Sequence, residues 1–252
     1  MNKGVALPDN YSVQLYSVRD AVADDLQGAV ARLAEIGFAH VEPYAFAERT
    51  DEFERAFAAS GITAPTGHAA AIDSDEPARI FEAAARLGIA TVIDPFVPTE
   101  RWTTLDDIAR TADRVNELTA IAATFGLGFG YHNHNWEIAN QVDGRSALYA
   151  FVDRLDAGVR LEIDTYWATI GGADAPALLR ALADRVGFIH VKDGPISDDT
   201  STQLPAGQGA IDVPGILAAA PDALRVVEFD AYAGDVFEGI AASYAWLTEN
   251  DR

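Results

Sequence analysis

The chain alternates between short apolar or β-branched runs and longer stretches whose apolar positions recur every three or four residues. The short runs are Ser12–Val18, His40–Tyr44, Pro65–His68, Thr91–Asp94, Gly128–His134, Arg160–Asp164, Phe188–Lys192 and Arg225–Phe229, and each predicts a strand. The stretches between them predict helices. The clearest is Leu105–Phe125, where Leu105, Ile108, Ala112, Val115, Leu118 and Ala122 fall on one face. A helical stretch ends in glycine ahead of a strand-like run at Gly37, Gly61, Gly88, Gly126 and Gly187. Glycine accepts the left-handed conformation past a helix end at least cost. Thr50 and Asp75 are placed to cap the second and third helices.

Strands alternating with helices imply a parallel sheet. No linker or low-complexity tract interrupts the pattern, and no G-x-G-x-x-G follows the first strand, which disfavours an open dinucleotide-binding sheet. The expected fold is therefore α/β, a single (β/α)₈ TIM barrel spanning residues 1–252 as one domain. The length of 252 residues agrees with the roughly 250 usual for that architecture.

The chain has no cysteine, so disulfides and thiolate ligands are excluded and any metal must be held by His, Asp or Glu. The formal net charge of −21 repels phosphate backbones and excludes nucleic acid as a natural partner. No apolar run approaches the roughly 20 residues of a membrane span. Met1–Asn10 is polar, without the apolar core of a signal peptide, so a cytoplasmic protein without membrane contact is expected.

Barrels of this type present polar side chains to the active site from the C-terminal ends of their strands. All five histidines, His40, His68, His132, His134 and His190, fall in a predicted strand or at its end, and none on a helix. Side chains alternate along a strand, so His132 shares a face with His134, His190 with Lys192, and Glu162 with Asp164. A lone strand histidine is usually a hydrogen-bonded core residue, and His40 is read so. A pair such as His132 and His134 is costly to bury unpartnered, at about 1–3 kcal/mol per group, which favours a functional site. Mixed nitrogen and oxygen donors without sulfur suit Mn²⁺, Mg²⁺, Co²⁺ or Zn²⁺.

These residues carry a resemblance. Val13-Gln14-Leu15-Tyr16-Ser17-Val18-Arg19-Asp20 and Tyr131-His132-Asn133-His134-Asn135-Trp136-Glu137 resemble the first and fifth strands of the xylose isomerase-like barrel superfamily, the sugar phosphate isomerases/epimerases. Leu161-Glu162-Ile163-Asp164 with Trp167, Ile189-His190-Val191-Lys192-Asp193-Gly194, the loop Gly207–Asp212 and Val227-Glu228 resemble its later strands. The match runs over nearly the whole chain. It implies a divalent metal on Asp164, His190 and Glu228. The family's strand-five Glu is replaced by the His132/His134 pair, either of which can be the ligand; we assign His132 to the metal and His134 as base.

The His-rich fifth strand is similar to the branch containing inosose dehydratases and proteins acting on 3-keto sugars. The activity implied is sugar or polyol isomerisation, epimerisation or dehydration, through loss of a proton next to a carbonyl. His134 or Glu137 is the candidate base. Lys192 either protonates or steadies an oxyanion, or forms a salt bridge to Glu162 or Asp230. Glu42 and His68 are placed to bind hydroxyls, with Tyr16, Tyr44, Trp136 and Trp167 against the substrate. The small-molecule partner is a sugar or polyol, and assembly as a homo-oligomer is compatible with the family. Endonuclease IV shares the superfamily, but Trp167 stands where its pattern has a histidine. The competing function is a catalytically silent sugar-binding barrel serving a partner oxidoreductase; such a chain is expected to lose one of Asp164, His190 or Glu228, and none is lost.

Overall fold

In a computed structural model, residues 10–251 are described; the polar start read at Met1–Asn10 lies outside these residues except for Asn10. The strands are β1 (Tyr11–Val13), β2 (Thr66–His68), β3 (Thr91–Asp94), β4 (Gly128–His132), a short hairpin of β5 (Gln141–Val142) and β6 (Arg145–Ser146), then β7 (Arg160–Asp164), β8 (Val186–Val191) and β9 (Leu224–Val227). Seven of them form one sheet in the order β1-β9-β8-β7-β4-β3-β2, and every pairing in it is parallel.

The segment 40–44 closes the sheet on itself. It bridges Gln14 through Glu42 and His68 through Tyr44. Glu42 N donates to Val13 O at 2.8 Å, and His68 N donates to Pro43 O at 2.8 Å. The expected strand over His40–Tyr44 survives only as isolated bridges, because Pro43 has no N–H to continue a ladder. With this eighth stave the fold is a TIM barrel.

The main helices are α1 (Arg19–Ile36), α2 (Thr50–Ser60), α3 (Pro77–Leu87) and α4 (Leu105–Thr124); α5 (Trp136–Ala139), α6 (Ala147–Val152), α7 (Thr165–Ile170), α8 (Ala175–Leu182), α9 (Val213–Ala219) and α10 (Val236–Asn250) follow. In α4 the predicted stripe of Ile108, Ala112, Val115, Leu118 and Ala122 is buried. No described helix is long and apolar enough to cross a membrane.

Alternation along β4 separates two environments. Phe129 and Tyr131 point out to the helices, Phe129 against Phe81 and Tyr131 against Trp102 and Phe151. Gly130 lies in between, and a Cβ there would meet Arg160 O at 2.7 Å. Only glycine permits that approach of neighbouring staves.

Several local expectations are corrected. The first strand ends at Val13 and continues as a 3₁₀ turn, Leu15–Val18, because the Gln14 side chain accepts from Tyr16 N. The fifth ends at His132, so His134 sits on the loop entering α5. Thr50 is the first residue of α2 and donates to Phe46 O and Ala47 O instead of capping. Asp75 lies outside the start of α3, which Pro77 fixes after Glu76. Gly37, Gly61, Gly88 and Gly126 take positive φ as expected, but Gly187 lies inside β8.

Candidate metal and acid–base site

The inward side chains of the staves meet in a buried polar layer. Glu42 accepts from Gln14 Nε2 at 2.8 Å and lies 2.9 Å from His190 Nε2 and 3.1 Å from His68 Nε2, all through Oε1. Glu162 Oε2 lies 2.6 Å from His68 Nε2, 3.0 Å from His132 Nδ1 and 3.1 Å from His190 Nε2. The predicted alternation holds on β7: Glu162 and Asp164 both point into the barrel, Glu162 in this layer and Asp164 one step nearer the mouth.

A second layer lies nearer the mouth. Lys192 Nζ is 2.8 Å from Asp164 Oδ2, 2.6 Å from Glu228 Oε2 and 2.8 Å from Asp230 Oδ2. Its contact with Asp164 Oδ2 is an ion pair without hydrogen-bond geometry. Of the two salt-bridge partners expected for Lys192, Asp230 is met and Glu162 is not. Gln203, from the loop after β8, donates to Asp230 Oδ2 at 2.7 Å and accepts from Asp230 N at 2.8 Å. His190 Nδ1 meets Glu228 Oε2 at 2.7 Å.

Burial and these partners set the charges. At His68 burial lowers the pKa, but the carboxylates of Glu42 and Glu162 outweigh it and raise it to about 10. His190 is likewise raised, against its burial, by Glu162 and Glu228. Burial holds His132 well below its usual value, with His190 adding to the effect. Burial and then Lys192 bring His134 down to about 4, so its imidazole is neutral at pH 7. Burial would lower Lys192, yet Asp164, Asp230 and Glu228 hold it well above its ordinary value.

A cavity of about 440 Å³ opens above these layers, lined among others by Tyr16, Tyr44, His68, Phe96, His132, His134, Lys192, Glu228 and Asp230. His68, His134, Lys192 and Tyr16 thus line one space. Tyr16 and Phe96 stay 43% and 51% exposed at its rim. Trp136 reaches the site through His134, on which it stacks, and Trp167 lies 5.8 Å from the Lys192 ammonium.

Glu42 is fully buried beneath the cavity. Glu137 is also fully buried: it accepts from Tyr131 OH at 2.6 Å and from His134 N at 2.9 Å, and burial pushes its pKa up to about 7. It anchors the backbone that carries His134. His40 lies away from the cluster, with Nδ1 2.7 Å from Thr63 Oγ1.

The donors fit a divalent cation. His68, His132, Glu162 and His190 form one group, and Asp164, His190 and Glu228 another; within each, one ligand atom per residue lies within 4.8 Å of the others. Glu42 Oε2 and Glu162 Oε1 are buried without a hydrogen-bond partner. Nitrogen and oxygen donors without sulfur are those of Zn²⁺, Co²⁺, Mn²⁺ and Mg²⁺ sites. Glu162 was marked in the sequence as the alternation partner of Asp164 and as an ion-pair partner for Lys192, without a ligand role; Gln203 and Phe96 escaped the sequence because they lie on loops, where no periodicity marks them.

The sequence profile of the xylose isomerase-like TIM barrel family matches residues 30–225. Among solved structures, a sugar phosphate isomerase/epimerase from Parabacteroides distasonis superposes with a TM-score of 0.81 at 21% identity, over 98% of this chain and 96% of that one. The IolI protein, solved with a bound zinc atom, gives 0.72 at 16% identity over 96% and 97%. A xylose isomerase-like TIM barrel protein from Mycobacterium smegmatis in complex with magnesium gives 0.68 at 17% identity over 97% of each chain. No curated protein matches the sequence significantly.

Proposed function

We propose, on the premise that this chain belongs to the xylose isomerase-like TIM barrel family, that it is a metal-dependent isomerase, epimerase or dehydratase/lyase of a sugar or polyol. The observation that carries this reading is one cavity lined by both a neutral histidine, His134, and a buried ammonium, Lys192, above the metal-capable donors. A base and a fixed positive charge on one substrate are what enolisation requires.

His134 takes the proton from the carbon next to the substrate carbonyl. The C–H electron pair forms the new C=C bond, and the carbonyl π pair moves to oxygen. Lys192 faces that oxygen and steadies its negative charge. Return of the proton to the former carbonyl carbon, with the adjacent hydroxyl passing its proton to the enolate oxygen and becoming the new carbonyl, gives isomerisation; protonation of the same carbon by water from the opposite face, as His134 gives its proton to solvent, gives epimerisation. In dehydration the oxygen pair re-forms C=O, the C=C pair closes a new double bond to the β-carbon, and the β-hydroxyl leaves with its bonding pair as water, taking the proton held by His134. A divalent metal, on the expected set of His132, Asp164, His190 and Glu228 or on the neighbouring donors, would supply Lewis-acid polarisation of the same oxygen. Tyr16, Tyr44 and Phe96 provide apolar faces for a sugar ring at the rim, and His68 a hydrogen-bonding group at the floor.

The test is proton exchange. Metal-supplemented protein is incubated with keto-sugars and inososes in deuterated water, and loss of the C–H signal next to the carbonyl is followed by NMR. Exchange that disappears in His134→Ala and Lys192→Met is expected. If no member of the panel exchanges while the protein still binds one of them, the barrel is a silent sugar-binding subunit instead.

A further inference from the structure

Glu162 is crowded on one oxygen and bare on the other. His68 Nε2, His132 Nδ1 and His190 Nε2 all lie within 3.1 Å of Oε2, while Oε1 is buried without a partner. Glu42 repeats the pattern, with Oε1 in contact with Gln14, His68 and His190 and Oε2 bare. A carboxylate in an ordinary hydrogen-bond network shares its donors between both oxygens. Three imidazole nitrogens closing on one point is the arrangement of a ligand shell. The donor nitrogens of His68, His132 and His190 stand 2.6, 3.0 and 3.1 Å from Glu162 Oε2, somewhat inside the roughly 3.4 Å that separates donors each about 2.1 Å from a shared tetrahedral cation.

The carboxylates nearer the mouth already have their cation. The Lys192 ammonium stands within 2.8 Å of Asp164 Oδ2, Glu228 Oε2 and Asp230 Oδ2, and is 2% exposed. A metal ion between Asp164 and Glu228 would meet that charge at close range in a buried setting. The other Asp164 oxygen, Oδ1, is held by Trp167 N at 2.8 Å. Glu228 takes His190 Nδ1, which leaves His190 Nε2 as the donor facing Glu162 and Glu42. A carboxylate on the far nitrogen is how a metal-binding imidazole is usually oriented.

We propose that the metal of this chain is held by His68, His132, His190 and Glu162, with Glu228 orienting His190 and Lys192 standing as the fixed cation of Asp164 and Glu228. This rests on the metal-dependent reading above and replaces Asp164 and Glu228 as ligands. Three imidazoles and one carboxylate select Zn²⁺ or Co²⁺ over Mg²⁺.

The experiment strips the full-length protein of metal with a chelator and titrates it with Co²⁺ alone, following visible absorption and bound cobalt. Zn²⁺ and Mg²⁺ are then tested as competitors. We expect one Co²⁺ per chain, displaced by Zn²⁺ and not by excess Mg²⁺. His68→Gln and Glu162→Gln weaken binding more than about 100-fold, beyond what loss of an outer partner costs, and Asp164→Asn weakens it less than about tenfold. Should a variant fail to fold by circular dichroism, the proton NMR spectrum of the Co²⁺-loaded wild type decides: three shifted imidazole N–H signals support the assignment. Two such signals, or loss of cobalt in Asp164→Asn with retention in His68→Gln, overturn it and leave the metal-dependent reading standing. A wild type that binds neither Co²⁺ nor Zn²⁺ overturns both.

Discussion

The indole of Trp136 lies flat against the imidazole of His134, with ring centroids 4.4 Å apart and planes 5° from parallel. The indole is itself tied down by Nε1 donating to Val97 O at 3.2 Å, and Phe96 meets both rings edge-on. His134 lies past the end of β4, where no ladder hydrogen bond positions it. The stack and the Glu137 carboxylate beneath its N–H do that instead.

Trp136→Ala therefore loosens the proposed base without removing it. Aromatic pairs contribute about 0.5–1.5 kcal/mol beyond area, so the exchange rate is expected to fall roughly 2- to 13-fold. Trp136→Phe, which restores a ring face, is expected to recover most of it. Steady-state kinetics with the exchanging substrate checks this: the loss belongs in kcat. An unchanged kcat in Trp136→Ala removes the stack from the mechanism.

Lys192→Met leaves Asp164, Glu228 and Asp230 facing one another without their cation. Breaking a buried ion pair from one side costs about 3–5 kcal/mol. Urea unfolding at pH 7 is expected to show a loss of that size. A loss below about 1 kcal/mol, the range of exposed pairs, would mean the ammonium is not the counter-charge of this layer.

Asp94 makes stability depend on pH. Burial raises its carboxyl from 3.8 to about 6, although the N–H groups of Ile72, Phe96 and Ala71 pull it back. The folded state therefore keeps a proton between about pH 4 and 6 that the unfolded chain has released. Stability from this group is present below that window and is lost as pH rises through it, by about 3 kcal/mol for a shift of this size. The wild type is expected to lose stability relative to Asp94→Asn between pH 4 and 6 in parallel thermal melts. A difference that stays flat across the window contradicts the shift.

Asp193 organises the loop that carries Gln203 toward Lys192. Its carboxylate accepts from Gly194 N at 2.8 Å, Gly207 N at 2.8 Å, Gly209 N at 2.9 Å and Ile211 N at 3.1 Å. Asp193→Ala strips all four, and each buried donor left unpaired costs about 1–3 kcal/mol. A loss of more than about 2 kcal/mol is expected, with new protease cleavage between residues 194 and 211. Asp193→Asn keeps one carbonyl oxygen and is expected to fall between it and the wild type. Equal stability of Asp193→Ala and the wild type would show that water replaces the carboxylate.

The alternation of short apolar runs with three- and four-residue periodicity located all eight staves, and the stripe on α4 was legible residue by residue. Such signals are local: strand alternation, helix period and a glycine of positive φ act within a few residues of chain. The placement of every histidine on or just past a stave was legible for the same reason. What failed locally was stave ends and caps, where one side chain decides, as Gln14 does for β1 and Pro77 for α3.

The partnerships within the site were decided by tertiary structure. Glu42 and His190 are 148 residues apart, and His68 and Glu162 are 94 apart. The register in which the staves close brings these pairs together, and no periodicity encodes it. Lys192 lies on Asp164, Glu228 and Asp230, and Glu137 turns toward Tyr131, because burial forces each charge or donor onto whatever partner the closed barrel offers. The kinds of residue at the site came from the chain itself. Their pairings and protonation states came from the low-dielectric interior that exists only once the barrel has closed.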